Sequence, residues 1–265
     1  MSDHETDAGL VYQVTDERLP WQRNNPPVVF HHGVGARGDT WSGWTSALCE
    51  RHALVRTNMR GHGGSSVPRG FQWTLEHLAA DLHTVVSSAN HEAIHLVGES
   101  VGGTVALAYT LAYPQRVRTL CISNGAHLGG KLTNLHNWAD LMADGGMQAW
   151  SEHMMGCRFN GGALSRDAHT WYEQQQRDAN ANAILDALSM LVGTDLSPRL
   201  HEINVPVLLM HPDSSPFIPV SVMADLKEKL PDARLQVFAN ARHGLPFSHA
   251  AQCSKLYAQF LAERG

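Results

Sequence analysis

The sequence predicts an α/β protein whose mostly parallel sheet is covered by helices on both faces. Three observations lead to this prediction: short apolar runs alternate with helical stretches, glycine-rich turns follow several runs, and a G-x-S-x-G pentapeptide at 98–102 joins one run to the next helix. Buried parallel strands connected by helices produce this alternation. The carboxyl ends of such strands share one edge of the sheet, and sites collect at that edge.

Strands and helices can be assigned along the chain in order. Apolar, β-branched runs predict the strands, and stretches rich in helix formers between them predict the helices. The predicted strands are 28–32, 53–58, 93–97, 117–123, 205–211 and 234–238, and the predicted helices are 39–51, 74–90, 103–112, 220–230 and 250–262.

The alternation stops after Gly125. Residues 127–196 contain no convincing buried strand but several helical stretches, at 132–143, 147–155, 165–178 and 180–192. Most of the aromatic and methionine side chains in this segment are expected to pack among these helices. The position of the insertion predicts a helical cap of residues 127–196 over a pocket, with a core formed by 1–126 and 197–265.

Composition excludes several functional classes. The net charge of −5 gives no cationic field for nucleic acid or an anionic membrane, and no apolar run reaches 18 residues. The amino terminus is polar and acidic, so a secretory signal is not expected. A cytoplasmic location is therefore predicted. Four scattered cysteines and 17 histidines show no metal-ligand spacing, so no metal site is predicted.

Ser100 is the candidate nucleophile. It stands in the pentapeptide between the strand at 93–97 and the helix at 103–112, which is the arrangement of a nucleophile elbow. The sharp turn exposes the hydroxyl, and the helix N-terminus offers a backbone N–H and a positive dipole to a developing oxyanion.

A serine nucleophile needs a base and oxyanion donors. His243 is the candidate base, because it follows the strand at 234–238 and therefore lies on the same sheet edge as Ser100. The glycine-rich loop at 32–35 follows the strand at 28–32. It predicts that the N–H of Val34 joins that of Val101 in an oxyanion hole.

These motifs together resemble the α/β-hydrolase superfamily. The resemblance rests on the motifs at 32–35, 60–65, 98–103 and 243–244, which occur in the family's order, and it covers nearly all of the chain from Val28 onward. The chain is most similar to small bacterial esterases, enol-lactonases and meta-cleavage-product hydrolases. The resemblance implies an eight-stranded sheet, a helical cap after the sixth strand and no cofactor. Arg60 is expected to be structural.

The acid of a catalytic triad is the point where the chain departs from this family. In the relatives, an aspartate in the loop after the seventh strand holds the histidine, and that position falls here on Ser215. Asp213, two residues earlier, is the first candidate for the acid. Glu99 beside the nucleophile, or a Ser100–His243 dyad oriented by Ser215, are the alternatives.

The predicted function is a cofactor-independent serine hydrolase that cleaves a small carboxylic ester or lactone through an acyl-enzyme on Ser100. His31, Gly33 and Glu99 lie near the predicted oxyanion loop or nucleophile and are candidates for the substrate pocket. A carbon–carbon bond hydrolase of a ring-fission (meta-cleavage) product and a non-catalytic small-molecule receptor are the alternatives. A small-molecule substrate is the expected partner, and the oligomeric state is left open.

Overall fold

One eight-stranded sheet forms the centre of the computed structural model, which describes residues 2–135 and 137–265. The spatial strand order is β1-β2-β4-β3-β5-β6-β7-β8. The β1–β2 and β2–β4 pairs are antiparallel and all other pairs are parallel, which confirms the predicted mostly parallel sheet. The strands are β1 (Ser2–Glu5), β2 (Val11–Thr15), β3 (Val28–His31), β4 (Leu54–Thr57), β5 (Ile94–Glu99), β6 (Val117–Ser123), β7 (Val207–Pro212) and β8 (Ala233–Phe238).

The first two strands are absent from the sequence prediction. Every residue of β1 is exposed, and β2 is only partly buried, so neither shows the continuous apolar run that marks the parallel strands. These two strands form through antiparallel pairing, of β1 with β2 and of β2 with β4. Such pairing depends on the neighbouring strand and leaves a weak local signal.

Helices cover both faces of the sheet and pack on two apolar clusters. The cluster under α2, α3 and α7 includes Leu82, Val105 and Met223, and the cluster on the opposite face includes Trp44 and Tyr257. The helices are α1 (Thr45–Leu48), α2 (Leu75–Ser88), α3 (Val101–Ala112), α4 (Trp138–Arg158), α5 (Arg166–Arg177), α6 (Ala181–Val192), α7 (Val220–Lys229), α8 (Leu245–Ser248) and α9 (Ala250–Arg264).

The predicted helix at 39–51 is wrong for most of its length. Residues Gly38–Trp44 form a 3₁₀-helix, and only the single turn of α1 follows as α-helix. Glycine, aspartate, threonine and serine in this stretch are poor helix formers. Trp41 and Trp44, three residues apart, both pack against Phe30 on the sheet, and side chains at this spacing align in a 3₁₀-helix.

Helices α4, α5 and α6 lie between β6 and β7 in the chain, within the predicted 127–196 segment. The stretches predicted at 132–143 and 147–155 contribute to one element, α4, which has a non-helical kink at Gly146 (φ 65°, ψ −164°). Residue 136 of the first stretch lies outside the described residues. The two ends of the insertion are joined by hydrogen bonds, from Leu196 N–H to the His127 carbonyl and from Gly129 N–H to the Thr194 carbonyl (2.8 Å each).

Arg60 has the structural role expected of it. Its guanidinium forms an ion pair with Asp81 (2.7 Å) and donates to the carbonyl oxygens of Ala8 (3.1 Å) and Ser66 (3.0 Å). In the part of the chain that the structure describes, no helix has the length and apolar character needed to cross a bilayer.

Candidate active site

Ser100 stands at the junction of β5 and α3 in a conformation that non-glycine residues seldom adopt. Its φ and ψ are 55° and −125°, and its N–H donates to the Ser123 carbonyl at the end of β6 (2.9 Å). Gly102 allows the turn to approach β3, because a Cβ there would lie 2.5 Å or less from the carbonyl oxygens of His31 and His32. A strained serine between a strand and a helix has the geometry of a nucleophile elbow.

His243 is positioned so that its Nε2 lies 3.0 Å from the Ser100 hydroxyl oxygen. The Asn124 side chain at the end of β6 donates to the His243 carbonyl (2.6 Å), and the Phe217 ring packs edge-on against the imidazole. Burial, and then the charge of Arg158, keep the pKa of His243 well below its usual value. The imidazole is therefore neutral at ordinary pH, which is the state a general base requires.

The third position of the site is occupied by a hydroxyl. The Ser215 oxygen lies 3.0 Å from Nδ1 of His243, on the opposite side of the ring from Ser100. The backbone N–H groups of Phe217 (3.4 Å) and Ile218 (3.3 Å) also donate to this oxygen. The Ser215 hydroxyl thus occupies the point where the relatives are expected to have a carboxylate, and two backbone N–H groups of the same loop are directed at it.

The structure does not bring Asp213 to His243. This geometry does not match the prediction that Asp213 is the acid of the triad. The Asp213 carboxylate accepts hydrogen bonds from the N–H groups of Asn240 (2.9 Å) and Ala241 (3.3 Å) and from the Ser214 hydroxyl (2.9 Å). Its own N–H donates to the Phe238 carbonyl, which extends the β7–β8 pairing by one residue. These bonds hold the carboxylate at the start of the loop that carries His243.

The hydrogen bonds at Ser215 also bear on the tautomer of His243. A hydroxyl has one donor and two lone pairs, and a neutral imidazole has one N–H. Since two backbone N–H groups donate to the Ser215 oxygen, its proton is the group left for Nδ1. This pattern favours the tautomer with the proton on Nε2, facing Ser100. A carboxylate, which only accepts, favours the opposite tautomer and leaves Nε2 free to take the serine proton.

The predicted oxyanion loop passes close to Ser100, the candidate nucleophile. A Cβ at Gly33 would lie 2.9 Å from the Ser100 Cβ, so the two backbones are in close contact. Val34 and Val101 both line the same cavity as Ser100. The loop is held by Gly35 N–H, which donates to Nε2 of the buried His62 (2.9 Å).

The three residues suggested for the substrate pocket lie beneath the site and do not line the cavity. His31 is buried with Nδ1 2.7 Å from the Thr57 hydroxyl. The Glu99 carboxylate accepts from the Gly33 N–H, and burial raises its pKa to about 7. Glu99 therefore holds the predicted oxyanion loop through Gly33, which is part of that loop, and His31 is a buried strand residue.

The cavity above Ser100 is narrow and apolar. It has about 20 Å³ of room for the centre of a water molecule, which is enough for about one water. Its walls come from the sheet edge, the cap and the loop after β7. The lining residues are Val34, Ser100, Val101, Ala126, Leu132, Leu135, Trp138, Met154, Arg158, Ala187, Leu188, Leu191, Phe217, Ile218 and His243.

Sequence reasoning missed Arg158, the charged residue of this lining. It is 1% exposed at the end of α4, and it donates to the Tyr172 hydroxyl (3.1 Å) and to the Val34 carbonyl (2.6 Å). The available signal was a single arginine in a stretch of methionine, cysteine and phenylalanine, since charged residues are seldom fully buried unless they are paired. Phe217 was missed as well, because its contact with His243 depends on the fold of the loop.

A sequence profile described as the alpha/beta hydrolase fold matches residues 26–250. The chain belongs to this family. The α/β hydrolase is 25% identical to the pimeloyl-[acyl-carrier protein] methyl ester esterase of Aeromonas hydrophila, over 89% of this chain and 95% of the esterase. It is also 25% identical to a Caulobacter vibrioides protein named as a carbamate hydrolase, RutD, over 88% of this chain and 89% of that protein.

Solved structures share the fold of this α/β hydrolase. The enol-lactonase of Burkholderia xenovorans LB400 superimposes with a TM-score of 0.85 at 19% identity, covering 98% of this chain and all of that one. An esterase of Exiguobacterium antarcticum gives a TM-score of 0.83 at 20% identity, covering 98% and 99% of the two chains. The fold prediction is confirmed, and the relatives support the coarser functional expectation of a hydrolase.

Proposed function

We propose that this α/β hydrolase is a cofactor-independent serine hydrolase that cleaves small carboxylic esters or lactones through an acyl-enzyme on Ser100. The observation that carries the proposal is the 3.0 Å separation between the Ser100 hydroxyl and Nε2 of a buried, neutral His243, at a strained strand-to-helix turn. Such a pair becomes the activated nucleophile of acyl transfer once the imidazole carries its proton on Nδ1. The methyl ester esterase and carbamate hydrolase named above are consistent with chemistry at an acyl carbon.

The proposed reaction proceeds in two halves. The Ser100 oxygen attacks the acyl carbon while its proton passes to Nε2 of His243, and the N–H groups of Val34 and Val101 bind the oxyanion. The imidazolium then protonates the departing alkoxide, which leaves the acyl group on Ser100. Water then attacks the acyl-enzyme while its proton passes to His243. The imidazolium returns this proton to the Ser100 oxygen as the acyl–oxygen bond breaks, which releases the carboxylic acid and free Ser100.

Ser215 makes the proposed enzyme a slow one with simple esters. A hydroxyl cannot offset the positive charge of the imidazolium, and its hydrogen bonds favour the tautomer that His243 must leave before it acts as a base. Loss of the acid in a serine protease triad lowers kcat about 10⁴-fold. The proposed turnover is therefore well below that of relatives with an aspartate at this position.

The cap must move for a substrate to bind. A cavity that holds about one water is too small for an acyl group, and Trp138, Leu188 and Leu191 of the cap form part of its wall. The apolar lining favours a small aliphatic or aromatic acyl group. We place the kink of α4 at Gly146 as the point where the cap bends, since a break in helical geometry concentrates bending.

A non-catalytic small-molecule receptor is the second candidate, and the hydroxyl at the acid position is the observation that favours it. Incubation of the protein with a fluorophosphonate probe separates the two. Labelling of the parent protein but not of Ser100→Ala, together with turnover of short p-nitrophenyl esters, supports the hydrolase. A folded parent protein that does not react supports the receptor.

The carbon–carbon bond alternative uses the same residues and is tested by comparing turnover of a p-nitrophenyl ester with that of a ring-fission dienoate. If the protein cleaves the dienoate faster than the ester, the dienoate becomes the proposed substrate. A small molecule as partner and a cytoplasmic location stay predictions.

A further inference from the structure

Arg158 is a buried cation whose side chain lacks an ionic partner. In residues 2–135 and 137–265, no carboxylate lies within 4 Å of its guanidinium. An arginine has five N–H donors. Arg158 makes hydrogen bonds to Tyr172 and Val34, and its buried Nε finds no acceptor in the described part of the chain.

Glu99 is the carboxyl group that interacts electrostatically with Arg158, and it compensates the charge only in part. Burial raises the pKa of Glu99 to about 7 although Arg158 lowers it, so the negative charge of Glu99 is weakened near neutral pH. Burying a cation without a full countercharge is costly, and buried charges in proteins are normally paired.

The positive charge also acts on the catalytic histidine. After burial, the charge of Arg158 is the largest influence that lowers the pKa of His243, and no acidic side chain in the described residues opposes it. The imidazolium that forms during acyl transfer is therefore disfavoured by Arg158 on one side and left without a carboxylate at Ser215 on the other.

We propose that the cavity takes esters or lactones that carry a carboxylate, that Arg158 binds this group, and that the substrate thereby brings the negative charge that the Ser100–His243–Ser215 arrangement lacks. Arg158 lines the cavity beside Ser100 and His243, and the cavity wall contains no acidic residue that would repel an anion. The carboxylate accepts the unused N–H groups of Arg158 and cancels its charge. This inference rests on the proposed serine hydrolase function and adds the class of its substrate.

The proposal has a kinetic consequence that a simple binding site does not have. A charged hydrogen bond is worth about 1.5 to 3 kcal/mol, a factor of about 10 to 100, which raises kcat/KM for the anionic substrate. Because the charge also stabilises the imidazolium in the transition state, kcat itself should be higher for the anionic ester, in addition to a lower KM.

The test compares monomethyl glutarate with dimethyl glutarate, which present the same methyl ester with and without the charge. The parent protein is expected to prefer the monoester at least tenfold in kcat/KM and to turn it over with a higher kcat. Arg158→Met should abolish the preference. Arg177→Met is the matched control, since Arg177 lies on the cap in an ion pair with Glu173 and outside the cavity lining.

The ratio of the two substrates is the readout because Arg158 also holds the Val34 carbonyl, so its replacement can slow both reactions. A second variant, Ser215→Asp, supplies the missing charge from the protein and should shrink the kcat advantage of the monoester. Equal kcat/KM for the two esters, a preference that survives in Arg158→Met, or an undiminished kcat advantage in Ser215→Asp would each overturn the proposal. Fluorophosphonate labelling of Ser100 and turnover of the neutral diester report separately on the hydrolase function.

Discussion

The Ser215 hydroxyl lies 3.0 Å from Nδ1 of His243, and the Asp213 carboxylate, two residues earlier, makes its hydrogen bonds elsewhere. The histidine is therefore oriented correctly toward Ser100 but has no negative charge behind it. Geometry and electrostatics, which a triad normally provides together, are separated in this protein.

Replacement of Ser215 by aspartate should raise kcat by about 100-fold or more, because a carboxylate stabilises the imidazolium and selects the Nδ1–H tautomer, a combination worth up to about 10⁴-fold. The backbone N–H groups of Phe217 and Ile218 are in place to hold the new carboxylate. Turnover of a neutral p-nitrophenyl ester is the measurement. Ser214→Asp, a change at the neighbouring exposed serine, is the control, and a folded Ser215→Asp protein with parental kcat would refute the expectation.

Asp213→Asn should lower stability and leave kcat within about threefold of the parent value. The carboxylate ties the end of β7 to Asn240 and Ala241, and each such hydrogen bond contributes about 1 kcal/mol. The urea midpoint measures the first effect and ester turnover at saturating substrate measures the second. A tenfold or larger loss of kcat in a fully folded variant would return Asp213 to the position of catalytic acid.

Gly33→Ala should reduce kcat by about 100-fold or more while the protein still folds. A Cβ at this position would lie 2.9 Å from the Ser100 Cβ and 3.3 Å from the Glu99 carbonyl oxygen, so the oxyanion loop has to shift. Loss of one oxyanion donor costs about 10² to 10³ in kcat. Gly130→Ala is the matched control, since a Cβ there meets nothing within 4 Å. Parental turnover by Gly33→Ala would show that the loop is not part of the oxyanion site.

Stability should fall steeply as the pH drops below 6.5. Burial lowers the pKa of His31, His62 and His211 to about 4 and that of His95 to about 3. Because these folded values lie below the unfolded value of 6.5, the unfolded chain binds more protons below that pH. Glu99, with a pKa raised to about 7, acts in the opposite direction with one proton between pH 7 and 4.5.

These four histidines and Glu99 give a net difference of about three protons, or about 4 kcal/mol lost per pH unit. His32 and His243, whose pKa values burial also lowers well below 6.5, act in the same direction and make the fall steeper. Since folded proteins are stable by only about 5 to 15 kcal/mol, unfolding is expected near pH 5. Urea midpoints between pH 7.5 and 5.5 measure the slope. The Glu99→Gln variant should show a steeper fall because it removes the opposing proton. A midpoint that does not change with pH would contradict these buried neutral histidines.

Local sequence signals were sufficient for the parallel part of the fold and for the turn that carries the candidate nucleophile, Ser100. The predicted strand at 93–97 and the predicted helix at 103–112 place the turn at Ser100. Apolar runs in the sequence predict the buried strands. Strands β1 and β2 and the 3₁₀ segment at Gly38–Trp44 escaped the prediction, because their structure depends on edge pairing and on contacts with Phe30.

The sequence by itself determined the α/β architecture, the insertion that covers the site, and the candidates Ser100 and His243, since each depends on periodicity or on a motif a few residues long. Only the tertiary structure decided which side chain meets Nδ1 of His243, and only it brought Arg158, from α4 of the cap, into the same cavity. Along an extended strand, side chains alternate between the two faces, so the direction of each side chain can be predicted from the sequence. A loop such as 213–218 has no such regular alternation. Its side chains point where distant backbone groups, here Asn240 and Ala241, hold them.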